Sequence, residues 1–178
     1  MAKEPGRKKG RMNMFDKFGE FDSVVELNMA AEGLKKEGDI ASLKELAKEN
    51  GLDEDDVEDY VASYGEGFAT VMMAAVGRLE VQEREIEAME SLVEKMPLRV
   101  ILSMTKGLCT NKTFAREVMK KGKRVKEIYS IMRKVAEGHK KGNMGISCGT
   151  DRELEEIIKT YYGATKEDTK KELEKLYK

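Results

Sequence analysis

"FATVMMAAVGRLEVQEREIEAMESLVEKM", residues 68 to 96, is the stretch whose reading decides the fold. Apolar side chains return every seven positions at Met72, Leu79, Ile86 and Val93, and a second series runs through Ala75, Gln82, Met89 and Met96, with Gln82 its one polar member. Residues spaced this way share one face of an α-helix, so the pattern predicts a single long central helix over 67–96, ended at Pro97. Four heptads fit two arrangements. One is a seam for self-association through Met72, Leu79, Ile86, Met89 and Val93, giving a homodimer; the other is a helix packed inside its own bundle. Gly77 either weakens the seam or lets a second element come close.

Working outward, the rest of the chain carries the same helical texture. Upstream, "SVVELNMAAEGLKK" places Val24, Leu27, Ala30, Ala31 and Leu34 at helical spacing after a cap at Asp22 or Ser23, and "EGD" ends it. "IASLKELAKENG" repeats the pattern with Ile40, Leu43, Leu46 and Ala47 and stops at Asn50-Gly51; a third helix is capped by Asp53 and runs to about Tyr64. Downstream come an apolar helix from Leu98 to Thr105, one capped by Thr110 or Asn111, and one from Lys123 to Glu137 with Val125, Ile128, Ile131, Met132 and Val135 inward. Thr150 stands three residues before Glu153 at capping-box spacing, and "TKEDTKKELEKLYK" closes as a last amphipathic helix. With only two prolines, the 178 residues read as an all-α multi-helix bundle. It divides into a disordered basic arm (1–13), an acidic short-helix region (14–66), the central helix (67–96), a basic helical region (97–143) and a C-terminal helical hairpin (144–178).

Nothing in the chain reads as a membrane span or a signal peptide, and Cys109 and Cys148 lack a CxxC pattern, so a cytoplasmic protein with reduced thiols is expected. Charge is the informative property. The formal net charge is -1, yet residues 12 to 94 carry seven basic and 22 acidic side chains, and residues 95 to 143 carry 14 basic and three acidic. Such asymmetry points to charged macromolecular partners.

The acidic peak is "LDEDDVEDY", residues 52 to 60, where Asp53, Glu54, Asp55, Asp56, Glu58 and Asp59 stand within nine positions. Carboxylates in a first helical turn favour the positive end of the helix dipole, which accounts for part of the run. An EF-hand loop is excluded, because Val57 and Glu58 fall where an oxygen ligand and a glycine belong. The surplus fits a surface for a basic partner. The basic peak comprises Lys120, Lys121, Lys123, Arg124, Lys126, Arg133, Lys134, Lys140 and Lys141. On helices these could line up on phosphates without reading bases; the other reading is a solvated face neutralised by the chain's own acidic half.

Chemistry finds little footing in the sequence. His139 is the only histidine and lacks ligands at metal spacing, and "GHKKGNMGISCG", residues 138 to 149, lacks the GxxxxGK[ST] order of a phosphate loop. No metal, cofactor or catalytic set is expected, and the chain reads as a binding protein, not an enzyme.

Three segments, "MFDKFGEFDSVVELNMAAEGLKKEGD", "LKELAKENGLDEDDVEDY" and "GNMGISCGTDRELEEIIKTYYG", resemble small proteins carried by phages and mobile elements of gut Clostridia. Among these the chain is similar to a type II-A anti-CRISPR family. The resemblance implies a non-catalytic inhibitor that binds a type II CRISPR effector nuclease in the bacterial cytoplasm and blocks engagement or cleavage of target DNA. Such a nuclease holds nucleic acid in a positively charged channel. Asp53 to Asp59 would then occupy basic surface meant for phosphate, while the basic residues hold DNA or guide RNA. The alternative is a DNA-binding accessory protein of a mobile element that does not read sequence.

Overall fold

The computed structural model describes residues 15–63, 67–142, 149–163 and 166–175; the basic arm, Tyr64 and Cys148 lie outside them. Among the described residues the chain forms nine α-helices and no strand, an all-α multi-helix fold.

The first three helices follow their caps. α1 (Val24–Glu37) begins where the Ser23 hydroxyl accepts the Glu26 N–H and ends at Gly38, whose φ of 72° suits a residue without Cβ. α2 (Ile40–Glu49) starts on the Asp39 carboxylate, which accepts the Ser42 N–H. α3 (Glu54–Ala62) starts at Asp53, with the Asp56 carboxylate accepting the Asp53 N–H at 3.1 Å in a capping box. Leu27, Ala31, Leu43, Leu46, Val57 and Tyr60 meet in the centre of this trio.

The helix expected over 67–96 is two helices. α4 (Val71–Glu87) ends at Ala88, and α5 (Leu92–Leu108) begins where the Ser91 hydroxyl accepts the Glu94 N–H. Pro97 does not stop the chain; it lies inside α5. It cannot donate to the carbonyl four residues back, that of Val93, a residue that is 82% exposed. The two helices fold back on each other, and Glu87 at the end of α4 fastens the turn. Its backbone carbonyl accepts from Lys95 at 2.8 Å, and its carboxylate accepts from Arg99 Nε at 2.6 Å. The helix read from Leu98 to Thr105 is part of α5, which runs through Gly107 without a break.

The remaining elements are α6 (Lys112–Val118), capped by Asn111, α7 (Val125–Gly138), α8 (Asp151–Gly163) and α9 (Lys166–Glu174). α4 packs on α5 and α6, α5 on α7 and α8, and α9 closes against α7 and α8. One continuous core joins the acidic trio to these helices.

Two sequence features are explained by how α4 meets its neighbours. Gly77 lies against the turn between α2 and α3: a Cβ built on it would stand 2.3 Å from the Asn50 carbonyl oxygen, and one on Gly51 would stand 2.2 Å from the Gly77 oxygen. The glycine therefore serves close approach. Gln82, the polar member of the heptad series, is 3% exposed. Its side-chain carbonyl accepts the Val125 N–H at 2.8 Å, supplying the cap that Arg124, the residue before α7, does not.

Candidate functional site

The heptad positions are the first to settle. Leu79 and Ile86 are fully buried in the chain's own core, Met72 and Met89 pack against it, and of the five only Val93 is exposed. The expected seam through Met72, Leu79, Ile86, Met89 and Val93 is thus mostly internal packing, because the seven-residue repeat follows the core side of α4 and leaves it only beyond Ser91.

The nine basic residues come together in the fold around α7 and its approach, and six of them are engaged within the chain. Lys120 pairs with Glu117, Lys121 with Glu26 at 3.8 Å, Lys126 with Glu85 at 3.5 Å, and Arg133 with Glu137 at 3.0 Å and Glu94 at 3.4 Å. Lys123 donates to the Tyr161 carbonyl oxygen at 2.7 Å, with its ammonium 4.8 Å from that ring. Arg124 holds Glu20 through two hydrogen bonds of 2.7 and 2.8 Å. Four of these six acids, Glu20, Glu26, Glu85 and Glu94, come from the acidic stretch 12–94, so the charge dipole of the sequence is partly folded onto itself. Lys134, Lys140 and Lys141 are exposed and make no ion pair with a described residue.

Beneath this segment lies a buried charge cluster that nothing in the sequence singled out. Arg78, 2% exposed, donates to the carbonyl oxygens of Met119, Lys120 and Phe21 and stands 3.3 Å from the Glu20 carboxylate. Burial lowers its guanidinium to about 10, against the attraction of Glu20. For Glu20, burial alone would raise the carboxyl, but the Arg124 hydrogen bond and the charges of Arg124 and Arg78 outweigh it and hold it below its ordinary value. Glu20 also accepts the Gly122 N–H at 3.2 Å, and Asp22 accepts the Lys121 N–H at 2.9 Å. The segment 15–22 is by this means strapped across α4 onto the loop before α7.

The acidic run is different. Asp53, Glu54, Asp55, Glu58 and Asp59 are exposed, with Asp56 half-buried. Asp53 and Asp56 serve the cap, and Lys44 reaches Glu54 at 3.3 Å and Glu58 at 3.8 Å, although those carboxylate side chains remain 74% and 70% exposed. Asp55 and Asp59, one helical turn apart, make no ion pair with a described residue. Beside this face, between α1 and α3, runs an open groove of about 730 Å³ with Val25, Met29 and Val61 on its walls and the Glu32–Lys36 pair at its edge. Residues 23 to 62 carry four lysines against twelve carboxylates, net -8, so the groove opens on a strongly negative lobe.

No three His, Cys, Asp or Glu side chains converge as a metal site among the described residues. Cys109 is buried, and burial pushes its thiol up to about 12, which leaves it protonated at neutral pH. His139 is the C-cap of α7. No helix among the described residues is long and apolar enough to cross a membrane. The fold and these surfaces define an all-α protein with one acidic face that its own lysines leave largely open. Compared with known proteins, the chain matches no protein-family model, no curated protein and no solved structure.

Proposed function

We propose that this chain is a non-enzymatic binding protein that uses the α3 face against a basic macromolecular surface, and that it acts as an inhibitor of a type II CRISPR effector nuclease. The single observation that carries the reading is the exposed carboxylate row of α3: Asp55 and Asp59 make no ion pair among the described residues, and Glu54 and Glu58 stay 74% and 70% exposed beside Lys44. A nuclease of this class grips phosphates in a basic channel, and a rigid row of carboxylates competes for that channel. The groove lined by Val25, Met29 and Val61 gives the same face an apolar anchor.

A second reading, DNA binding by an accessory protein, draws on Lys134, Lys140 and Lys141, which have no acidic partner among the described residues. Three phosphate contacts give weak, salt-sensitive binding.

The test is cleavage of target DNA by a type II-A nuclease, with this protein added before or after guide loading, beside a mobility shift on DNA alone. Charge reversal must avoid Asp53 and Asp56, which hold the start of α3. Asp55→Lys with Asp59→Lys leaves the cap intact and should weaken inhibition about tenfold or more. Unchanged inhibition by that double variant refutes the acidic-face reading. Full cleavage together with salt-sensitive DNA binding favours the accessory protein.

A further inference from the structure

In a chain that is 38% charged, the outer face of α5 carries one charged side chain, Arg99 at its edge, already paired with Glu87. Leu92, Val93, Met96 and Val100 are 63, 82, 53 and 51% exposed, and Ser103 and Gly107 continue the same exposed face toward the C-terminal end. At 3.6 residues per turn these six positions fall on one stripe opposite Leu98, Ile101, Leu102 and Thr105, which point into the core. The cations flanking the stripe are already held by α4: Lys95 and Arg99 by Glu87, and Lys106 by Glu83 at 2.8 Å.

We infer that this stripe pairs with the same stripe of a second copy, antiparallel and related by a two-fold axis near Val100. Charge and shape both select a second copy. The flanking cations are neutralised in place, so a strongly charged partner gains no new ion pair here, and burying its charge against Leu92 and Met96 is costly. A second copy brings an equally neutral face. The stripe is also divided by size, with large side chains in its first half and small ones in its second. About a two-fold near Val100, Leu92 comes opposite Gly107 and Met96 opposite Ser103, so the two largest residues each meet a small one, while Val100 meets its own copy beside the axis. Gly107 has open space where a Cβ would stand, which leaves room for the incoming Leu92.

From Leu92 to Gly107 the stripe runs for about 22 Å and offers on the order of 300 Å² per copy, less than the roughly 800 Å² of a standard interface. Pairing is therefore weak and concentration dependent. It also differs from the heptad seam read in the sequence, since Val93 is the one residue common to both.

Sedimentation velocity of the full chain between about 1 and 500 μM should show a reversible monomer–dimer equilibrium. Met96→Lys with Val100→Lys should weaken association at least about tenfold, while Met29→Lys, on the other apolar patch, leaves it unchanged. Circular dichroism of each variant verifies the fold. In a Cys148→Ser background, Val100→Cys should oxidise to a disulfide-linked dimer faster than Leu92→Cys. A monomer at every concentration overturns the proposal, as does a dimer that Met29→Lys disrupts and the α5 variant does not. Faster cross-linking of Leu92→Cys overturns the antiparallel arrangement.

Discussion

Replacing Gly77 with alanine tests how the acidic trio is joined to the rest of the core. Gly77 is inside α4, where alanine is favoured over glycine by about 1 kcal/mol through helix propensity alone. Against that, the new Cβ would lie 2.3 Å from the Asn50 carbonyl oxygen and 3.0 Å from that of Gly51, where ordinary contact begins near 3.4 Å. The obstacle is backbone on both sides, so either the 50–51 turn or α4 must move by about an ångström, and overpacking of this kind costs about 3 kcal/mol, the upper part of the usual range. Net destabilisation of about 2 kcal/mol is expected, lowering the melting temperature by about 4 to 8 °C for a chain of this size. The companion substitution is Gly33→Ala, in exposed α1 with no atom within 4 Å of the new Cβ, which should stabilise by about 0.5 to 1 kcal/mol. Urea denaturation of both variants beside the parent reads the two signs. A Gly77→Ala protein as stable as the parent would show that the turn and α4 are not in contact and would refute the packing described.

Two further outcomes follow from buried polar groups. Gln82→Leu keeps the volume but leaves the Val125 N–H without its acceptor, so it should cost about 1 to 3 kcal/mol and increase amide exchange at the start of α7 more than elsewhere; uniform exchange changes would argue against a capping role. Glu20 has a carboxyl held below its ordinary 4.5, so its contribution is complete above that value and is lost as pH falls through the lower folded one. The stability difference between the parent and Glu20→Gln should therefore shrink as pH falls below 4.5, and a constant difference would exclude the ion cluster as its source.

Local signals were legible where the chemistry is local. Ser23, Asp53 and Asn111 cap the helices their positions suggested, and the apolar face read for α7 is buried at Val125, Ile128, Met132 and Val135. The heptads misled because periodicity reports a shared face but not whether the chain reverses along it. Apolar phase continues through Met89 and Val93 while the backbone turns at Ala88, and the signal for that turn was a serine three residues before Glu94, followed by Pro97. The charge map was legible in composition and not in its pairing. Glu20 with Arg124, or Glu26 with Lys121, is decided by tertiary packing across about a hundred residues. Arg78 gave no sign at all, since an arginine inside a charged helix reads as surface until its neighbours are placed.

The strap over α4 also has a consequence for biosynthesis. Glu20 and Arg124 are separated by 104 residues, and the Asp22 contact to Lys121 by 99. At about 5 to 20 residues per second, the ribosome needs about 5 to 20 s after making Glu20 before its partner exists. During that interval Phe18 and Phe21, which end packed against the core, have no loop to hold them down. Segment 15–22 is thus among the last to be locked, and the nascent protein presents two uncovered aromatic rings to whatever attends it at the ribosome.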